Sequence, residues 1–183
     1  MTLLVMLACA LQDAPVDLKV GDPAPKFELL DDAGKPWKSG DHVGKSVIVV
    51  YFYPASFTGG CTTQAKAFRD SMKRFGEKGV EVVGVSGDAV KTQETFKNVH
   101  QLNFSLLADE KGDAAALFGV PVKKATAVAK GKVGEEMKEF TRNVTISRWT
   151  FVIDRQGKIA YKNTRVNPGS DTAEVLTAID ALR

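Results

Sequence analysis

The fold is decided by the stretch from Ser46 to Asp70, SVIVVYFYPASFTGGCTTQAKAFRD. It begins with a run of β-branched and aromatic residues at 47–53, which is typical of a strand buried on both faces inside a sheet. Pro54 ends this strand, because proline has no N–H group to donate to a neighbouring strand. After a loop with two glycines, apolar residues recur at helical spacing between positions 65 and 75. Cys61 is therefore predicted in the first turn of a helix that follows a buried strand.

This position makes Cys61 a candidate nucleophile. Only the thiolate form of cysteine is nucleophilic, and the unpaired N–H groups and positive dipole of a helix N-terminus stabilise an anion. The alternative is a small, inert core residue, which is a common fate of free cysteine. Gly59 and Gly60 directly precede Cys61 and favour reactivity, since glycine lets a ligand approach the backbone closely.

The composition indicates one globular domain. The chain has 183 residues, of which 44% are hydrophobic and 26% charged. A net charge of +3 is too small to indicate a nucleic-acid partner. The two cysteines are too few for a disulfide scaffold or a structural zinc site, and His42 and His100 are isolated. We therefore expect neither a metal nor a cofactor.

Residues 1–14 resemble a targeting segment and are excluded from the domain, which we assign to residues 15–183. The segment has an apolar core from position 3 to 7, followed by Ala8, Cys9 and Ala10. This pattern predicts a secretory signal cleaved after Ala10, or a lipoprotein signal with Cys9 as the lipidated residue. No basic residue precedes the core, so a cytoplasmic location is the alternative to periplasmic export or lipid anchoring.

The rest of the chain alternates predicted strands with predicted helices. Strands are predicted at 80–86, 104–107, 149–154 and 159–161, and helices at 90–101, 114–118 and 172–182. An N-terminal hairpin over residues 27–37 has its turn at Ala33-Gly34. Residues 121–143 are rich in Lys, Gly and Glu, with weak periodicity, and are predicted to form an exposed excursion. The order predicts an α/β fold, a three-layer sandwich around a mixed sheet.

The motif Pro54-x-x-x-Thr58-x-x-Cys61 resembles the active-site signature of the peroxiredoxins, which are thiol peroxidases with a thioredoxin-like fold. The flanking residues 51–53, 62–63 and 68–70 are most similar to the branch called peroxiredoxin Q or bacterioferritin comigratory protein. The resemblance covers nearly the whole chain. It implies a thioredoxin-like fold and reduction of hydrogen peroxide and organic hydroperoxides through a sulfenic acid at Cys61.

The resemblance also implies roles for individual residues. Cys61 would be the nucleophile, and Thr58 would donate to or accept from the peroxide, with helix capping as the alternative role. Pro54 would shield the thiolate from water. The N–H groups of Gly60 and Cys61 would point towards the substrate. Arg148, at the start of a predicted strand, would stabilise the thiolate and bind the peroxide through its guanidinium.

Two other arginines are less suited to this role. Arg142, from the excursion, is a weaker alternative to Arg148 as the cation near the sulfur. Arg69 is expected to be structural and paired with a nearby carboxylate on the helix surface. Without the resemblance, Arg148 itself would be interpreted as an exposed arginine at a strand end.

Two positions depart from the family pattern. Many members of the branch carry a resolving cysteine five residues after the nucleophile, where this chain has Lys66. The other cysteine, Cys9, lies in the segment that a signal peptidase would remove. We therefore expect a one-cysteine cycle with an external reductant: thioredoxin, glutaredoxin or a low-molecular-weight thiol. A glutamate is common three residues after the nucleophile, where this chain has the neutral Gln64, which predicts a weaker hold on the arginine. A monomer or weak dimer is expected.

Other functions of the same fold fit less well. A dithiol oxidoreductase requires Cys-x-x-Cys, but its second position is Gln64 here. A copper carrier would need a second thiolate where the chain has Ala65. The remaining alternative is a non-catalytic binding or redox-sensing module that keeps the thioredoxin fold.

Overall fold

A computed structural model describes residues 16–182. The segment 1–14, with its predicted signal and Cys9, lies outside the described residues. Strands run over β1 Glu28–Asp31, β2 Pro36–Lys38, β3 Val47–Phe52, β4 Val80–Ser86, β5 Ser105–Ala108, β6 Val122–Val133, β7 Glu136–Ile146, β8 Trp149–Ile153 and β9 Ile159–Asn163. Helices run over α1 Gly59–Glu77, α2 Val90–His100, α3 Asp113–Leu117 and α4 Asp171–Asp180.

Seven strands form one mixed sheet in the order β2-β1-β5-β4-β3-β8-β9. Strand β3 is parallel to β4 and antiparallel to β8, and β4 is parallel to β5. All six residues of β3 are buried, as its unbroken apolar sequence predicts. The N-terminal hairpin is also confirmed, with β1 antiparallel to β2 and Gly34 at a φ of +75° in the turn.

Alternate side chains of β3 separate two apolar layers. Val49 and Tyr51 pack with buried residues of α1, α2 and α4 on one face of the sheet. Val50 and Phe52 pack on the other face with residues of α3 and the end of β7. The period of two along a strand produces this division. The three-layer, thioredoxin-like arrangement predicted from the sequence is confirmed.

The segment 121–143 is more ordered than the sequence analysis predicted. Strands β6 and β7 pair antiparallel in a two-stranded sheet of their own, which we call the long hairpin. Most of its side chains are exposed, as expected, but Ala129 and Gly131 of β6 and Val144 and Ile146 of β7 are buried. The inward positions of β6 include an alanine and a glycine, so its sequence lacks the alternation of large apolar residues that indicates a half-buried strand.

The helices of the described residues pack on the sheet rather than extend from it. None of them combines the length and the apolar character that crossing a membrane requires. Helix α1 is the longest, with 19 residues, and its buried face includes Phe68 and Phe75. Its first turn lies at the end of β3, where the candidate site is built.

Candidate active site

Cys61 is the third residue of α1, the helix that follows the buried strand β3. The first main-chain hydrogen bond of the helix runs from the Thr62 N–H to the Thr58 carbonyl, over 2.9 Å. The N–H groups of Gly60 and Cys61 therefore precede the helical ladder and are oriented as donors at the helix N-terminus. The Cys61 side chain is only 1% exposed, so its sulfur lies in a largely dry environment.

Residues 53–58, which we call the cysteine loop, are anchored by the buried carboxylate of Asp88. The carboxylate of Asp88 accepts from the Ser56 N–H over 2.7 Å and from the Ser86 hydroxyl over 2.9 Å. Asp88 is 1% exposed. The sequence analysis did not identify this anchor, because Asp88 follows a different strand and belongs to no motif. It fixes the path of the loop that leads into α1.

Arg148 lies directly against Cys61. Strand β8 pairs antiparallel with β3, with Trp149 opposite Phe52, so the start of β8 lies beside the end of β3. Arg148 immediately precedes β8, and its Nη2 donates to Cys61 Sγ over 3.1 Å. A guanidinium this close to sulfur stabilises a thiolate. The structure thus brings together the two residues that the sequence analysis selected as nucleophile and cation.

Gln64 and Asp171 extend this contact into the protein. Arg148 Nη1 donates to Gln64 Oε1 over 2.5 Å, and Gln64 Nε2 donates to Asp171 Oδ2 over 2.7 Å. The Thr150 hydroxyl donates to the same Asp171 oxygen over 2.9 Å. A neutral amide at position 64 still accepts from the arginine, so the structure gives no sign of the weaker hold that we expected.

Asp171 is buried to a degree that is uncommon for an aspartate. Its side chain is fully buried at the first residue of α4. Burial raises the pKa of the carboxyl, and hydrogen bonds from Gln64 and Thr150 oppose that rise. Sequence reasoning missed Asp171, because 107 positions separate it from Gln64 and only the tertiary fold joins them.

Thr58 occupies the N-cap position of α1, but its side chain does not cap the helix. Its hydroxyl donates instead to the Ala55 carbonyl over 3.0 Å, across the cysteine loop. The hydrogen of this hydroxyl is therefore engaged, and its oxygen lone pairs are left to accept. This geometry agrees with an acceptor role and not with the alternative of a helix cap.

Gly60 borders the same site, whereas Pro54 borders a neighbouring pocket. A Cβ at Gly60 would lie 3.4 Å from Arg148 Nη2 and 3.3 Å from Cγ of Pro168. Glycine therefore allows the guanidinium to lie against the start of the helix. Pro54 is half-buried at the end of β3 and lines a surface pocket that includes Ile146, at the end of the long hairpin.

The remaining arginines and Lys66 lie in other surroundings. Arg69 pairs with Asp70 over 2.8 Å and donates to the His100 carbonyl over 2.7 Å, so its predicted structural role is confirmed. Arg142 donates to the Thr145 hydroxyl over 3.2 Å, within β7. Lys66 is exposed on α1. The described contacts of the sulfur therefore favour Arg148 over Arg142.

Comparisons with known proteins give consistent results. A profile of the AhpC/TSA family matches residues 20–162. The chain is 36% identical over 163 residues to peroxiredoxin Bcp of Bacillus subtilis, covering 88% of this chain and 95% of that protein. It is 35% identical over 163 residues to chloroplastic peroxiredoxin Q of Oryza sativa subsp. japonica, covering 88% and 67%. The crystal structure of peroxidoxin BcpB from Mycobacterium tuberculosis superposes with a TM-score of 0.76 at 32% identity, covering 91% of this chain and 99% of that one.

Proposed function

Because the chain belongs to the AhpC/TSA family, in its peroxiredoxin Q/Bcp branch of thiol-dependent peroxidases, we propose that Cys61 is the residue that reacts with the hydroperoxide. The family expected from the motif is confirmed by these relatives. The observation that carries the proposal for Cys61 is the 3.1 Å contact between its sulfur and Arg148 Nη2, made at a helix N-terminus. Both surroundings stabilise the thiolate that the reaction requires.

The reaction is a displacement at oxygen. The Cys61 thiolate attacks the terminal oxygen of the hydroperoxide, an S–O bond forms and the O–O bond breaks. Sulfur is oxidised to a sulfenic acid, and the departing alkoxide or hydroxide takes up a proton from solvent to leave as alcohol or water. Negative charge moves from sulfur to the departing oxygen during this step. Fixed donors beside both atoms therefore lower the barrier.

The neighbouring groups divide the work of binding the peroxide. The Arg148 guanidinium and the N–H groups of Gly60 and Cys61 donate to the peroxide oxygens. Thr58 accepts from the terminal O–H, since its own hydrogen is engaged with Ala55. Pro54 keeps water from the sulfur. The same donors bind the peroxide in the ground state, and their hydrogen bonds strengthen as negative charge develops on the departing oxygen.

The sulfenic acid is resolved by a thiol from outside the chain. Position 66, five residues beyond Cys61 on α1, carries an exposed lysine that cannot form a disulfide. Thioredoxin, glutaredoxin and low-molecular-weight thiols are the candidate reductants, and attack by any of them gives a mixed disulfide that a second thiol reduces. The working unit is a monomer or a weak dimer.

Replacement of Cys61 tests the proposal. Peroxide consumption with thioredoxin, glutaredoxin or glutathione should fall to background in Cys61→Ser, because a serine hydroxyl stays protonated near neutral pH. Cys9→Ser is the matched control and should keep full turnover. Substantial peroxidase activity in Cys61→Ser would assign the chemistry to another group. A wild-type thiol that reacts no faster than free cysteine would favour the non-catalytic alternative.

A further inference from the structure

A buried chain of hydrogen bonds leads from the reactive sulfur to the start of helix α4. It passes from Cys61 through Arg148 and Gln64 to Asp171, with separations of 3.1, 2.5 and 2.7 Å. Its members come from α1, from the residue before β8, and from α4. Gln64 and Asp171 are both fully buried. Neither is accessible to substrate from the surface.

The chemistry of the chain allows only one orientation of the Gln64 amide. Arg148 has donors and no acceptors, whereas the ionised carboxylate of Asp171 has acceptors and no donors. Gln64 satisfies both neighbours only when its oxygen faces Arg148 and its NH₂ group faces Asp171. If the acceptor at position 171 were missing, the amide could rotate and present its NH₂ group to the guanidinium. Two donors would then oppose each other, and Arg148 would leave its place.

We propose that Asp171 is a positioning residue for the peroxidase reaction, an inference that rests on the proposed function. Asp171 holds Arg148 Nη1 through Gln64, so that Nη2 remains on the Cys61 sulfur. Thr150 holds Asp171 in turn, over 2.9 Å, from strand β8. The carboxylate thereby ties helix α4 to the strand that directly follows the arginine. It touches neither the sulfur nor the peroxide.

Burial makes a carboxylate costly at this place. A buried carboxylate carries a desolvation penalty, and an apolar residue of similar size is often as stabilising or more so. The second oxygen, Oδ1, has no hydrogen-bond partner among residues 16–182. Burial also raises the pKa of Asp171, and a proton held on Oδ1 would leave Oδ2 able to accept from Gln64. The contact with Gln64 therefore persists in either protonation state.

Two substitutions of Asp171 separate positioning from packing. Asp171→Leu fills the same space without an acceptor, so it should slow the oxidation of Cys61 by hydrogen peroxide about 10- to 100-fold, the scale of a small misplacement at an active site. The pH profile of Cys61 alkylation should move to higher pH, because the thiolate loses its cation. Asp171→Asn keeps an accepting oxygen and should retain most of the wild-type rate and the wild-type profile.

The matched control is Thr172→Val. Thr172 is the next residue of α4, and its buried hydroxyl has no partner in the part of the chain that the structure describes. This variant should change neither the oxidation rate nor the alkylation profile. If Asp171→Leu does not fold, Gln64→Leu breaks the same chain from the other side and should reproduce its kinetic effect. The double variant Gln64→Leu/Asp171→Leu should be no slower than Gln64→Leu alone, since both changes remove one connection.

The experiment distinguishes the failure of this inference from failure of the proposed function. A fast wild-type reaction with an unchanged rate and profile in folded Asp171→Leu would overturn the positioning role and leave the function intact. Additive losses in the double variant would also overturn it, because independent sites add. A wild-type reaction no faster than free cysteine would overturn the proposed function itself, and the positioning role with it.

Discussion

At the scale of single residues, Arg148 performs two tasks with two different nitrogens. Nη2 lies 3.1 Å from the Cys61 sulfur while Nη1 lies 2.5 Å from the Gln64 oxygen. A planar guanidinium reaches both partners in a fixed fork, which a single ammonium group cannot copy. Charge alone therefore does not define this position. The geometry of the fork contributes as well.

Substitution of Arg148 tests this division. Arg148→Ala should slow the oxidation of Cys61 about 100- to 1,000-fold, the scale of losing a donor at a site of developing charge. Arg148→Lys keeps the charge but loses the fork, so its rate should lie between those of the alanine variant and the wild type. Arg155→Lys, an exposed arginine after the other end of β8, is the control. An unchanged rate in Arg148→Ala would mean that another cation serves the sulfur.

The residues of the site differ in how far the sequence could predict them. Cys61 and Arg148 could be selected because one lies in a local motif and the other at a strand start that matches the family. Asp171 could not, since its partner Gln64 is 107 positions away and carries no local signal. Sequence reasoning also treated Gln64 as a loss of charge. The structure shows that its amide accepts from Arg148 and donates to Asp171. An ionised carboxylate at position 64 would have no hydrogen to donate to Asp171.

At the scale of elements, the long hairpin covers the cysteine loop. Phe57 stacks on Phe140 of β7 with ring centroids 4.2 Å apart and planes at 8°. Phe57 has a φ of +65°, a conformation that a bulky residue rarely adopts. A Cβ at Gly131 of β6 would lie 2.4 Å from Phe57 Cδ1, so the glycine allows the ring to lie against the strand. Packing by the hairpin thus helps to hold the loop that carries Thr58.

Gly131→Ala should disturb this packing. The added methyl group overlaps the Phe57 ring, so we expect the free energy of unfolding to fall by about 1–3 kcal/mol, as for other overpacked sites. The rate of Cys61 oxidation should change too, because Phe57 and Thr58 are neighbours in the same loop. Lys132→Ala, at an exposed position of the same strand, should leave both quantities unchanged. Stability is measured by urea unfolding and the rate by stopped flow. Wild-type values of both in Gly131→Ala would contradict the close packing of Phe57 against Gly131.

The long hairpin is also the element that the sequence predicted least well. The sequence indicates strand β3 through six consecutive apolar residues, all of them buried, whereas β6 and β7 are stabilised mainly by pairing with each other. The inward positions of β6 include Ala129 and Gly131, which are too small to produce a periodic pattern of large apolar side chains. The Phe57–Phe140 stack joins residues from a loop and a distant strand, and neither sequence position indicates the other.

At the scale of the whole molecule, the mixed sheet explains how the site is assembled. The antiparallel pairing of β8 with β3 brings Arg148 to the end of β3, where α1 begins. Helix α4 packs in the same apolar layer as α1, which brings Asp171 to Gln64. The alternation of strands and helices was sufficient to predict the layers. It could not predict which polar groups would meet between them.

The fate of the oxidised protein is a property of the whole chain, because it depends on where a second thiol can be found. After one equivalent of hydrogen peroxide, the oxidised chain should persist as a sulfenic acid that dimedone traps, and excess peroxide should carry it on to sulfinic acid. Added thioredoxin, glutaredoxin or glutathione should restore the thiol. The Cys9→Ser variant should behave identically. Complete conversion to a Cys61–Cys61 or Cys9–Cys61 disulfide on non-reducing gels, without added thiol, would show that the chain resolves itself.

The central claim, that Cys61 is a thiolate activated to attack peroxide, is tested most directly by rapid quenching followed by peptide mass spectrometry. Wild-type protein is mixed with equimolar hydrogen peroxide, quenched at a series of times, and the peptide containing Cys61 is weighed. A single added oxygen should appear on Cys61 at a rate orders of magnitude above that of free cysteine under the same conditions. If Cys61 gained oxygen no faster than free cysteine, or another residue gained it first, the assignment would be contradicted.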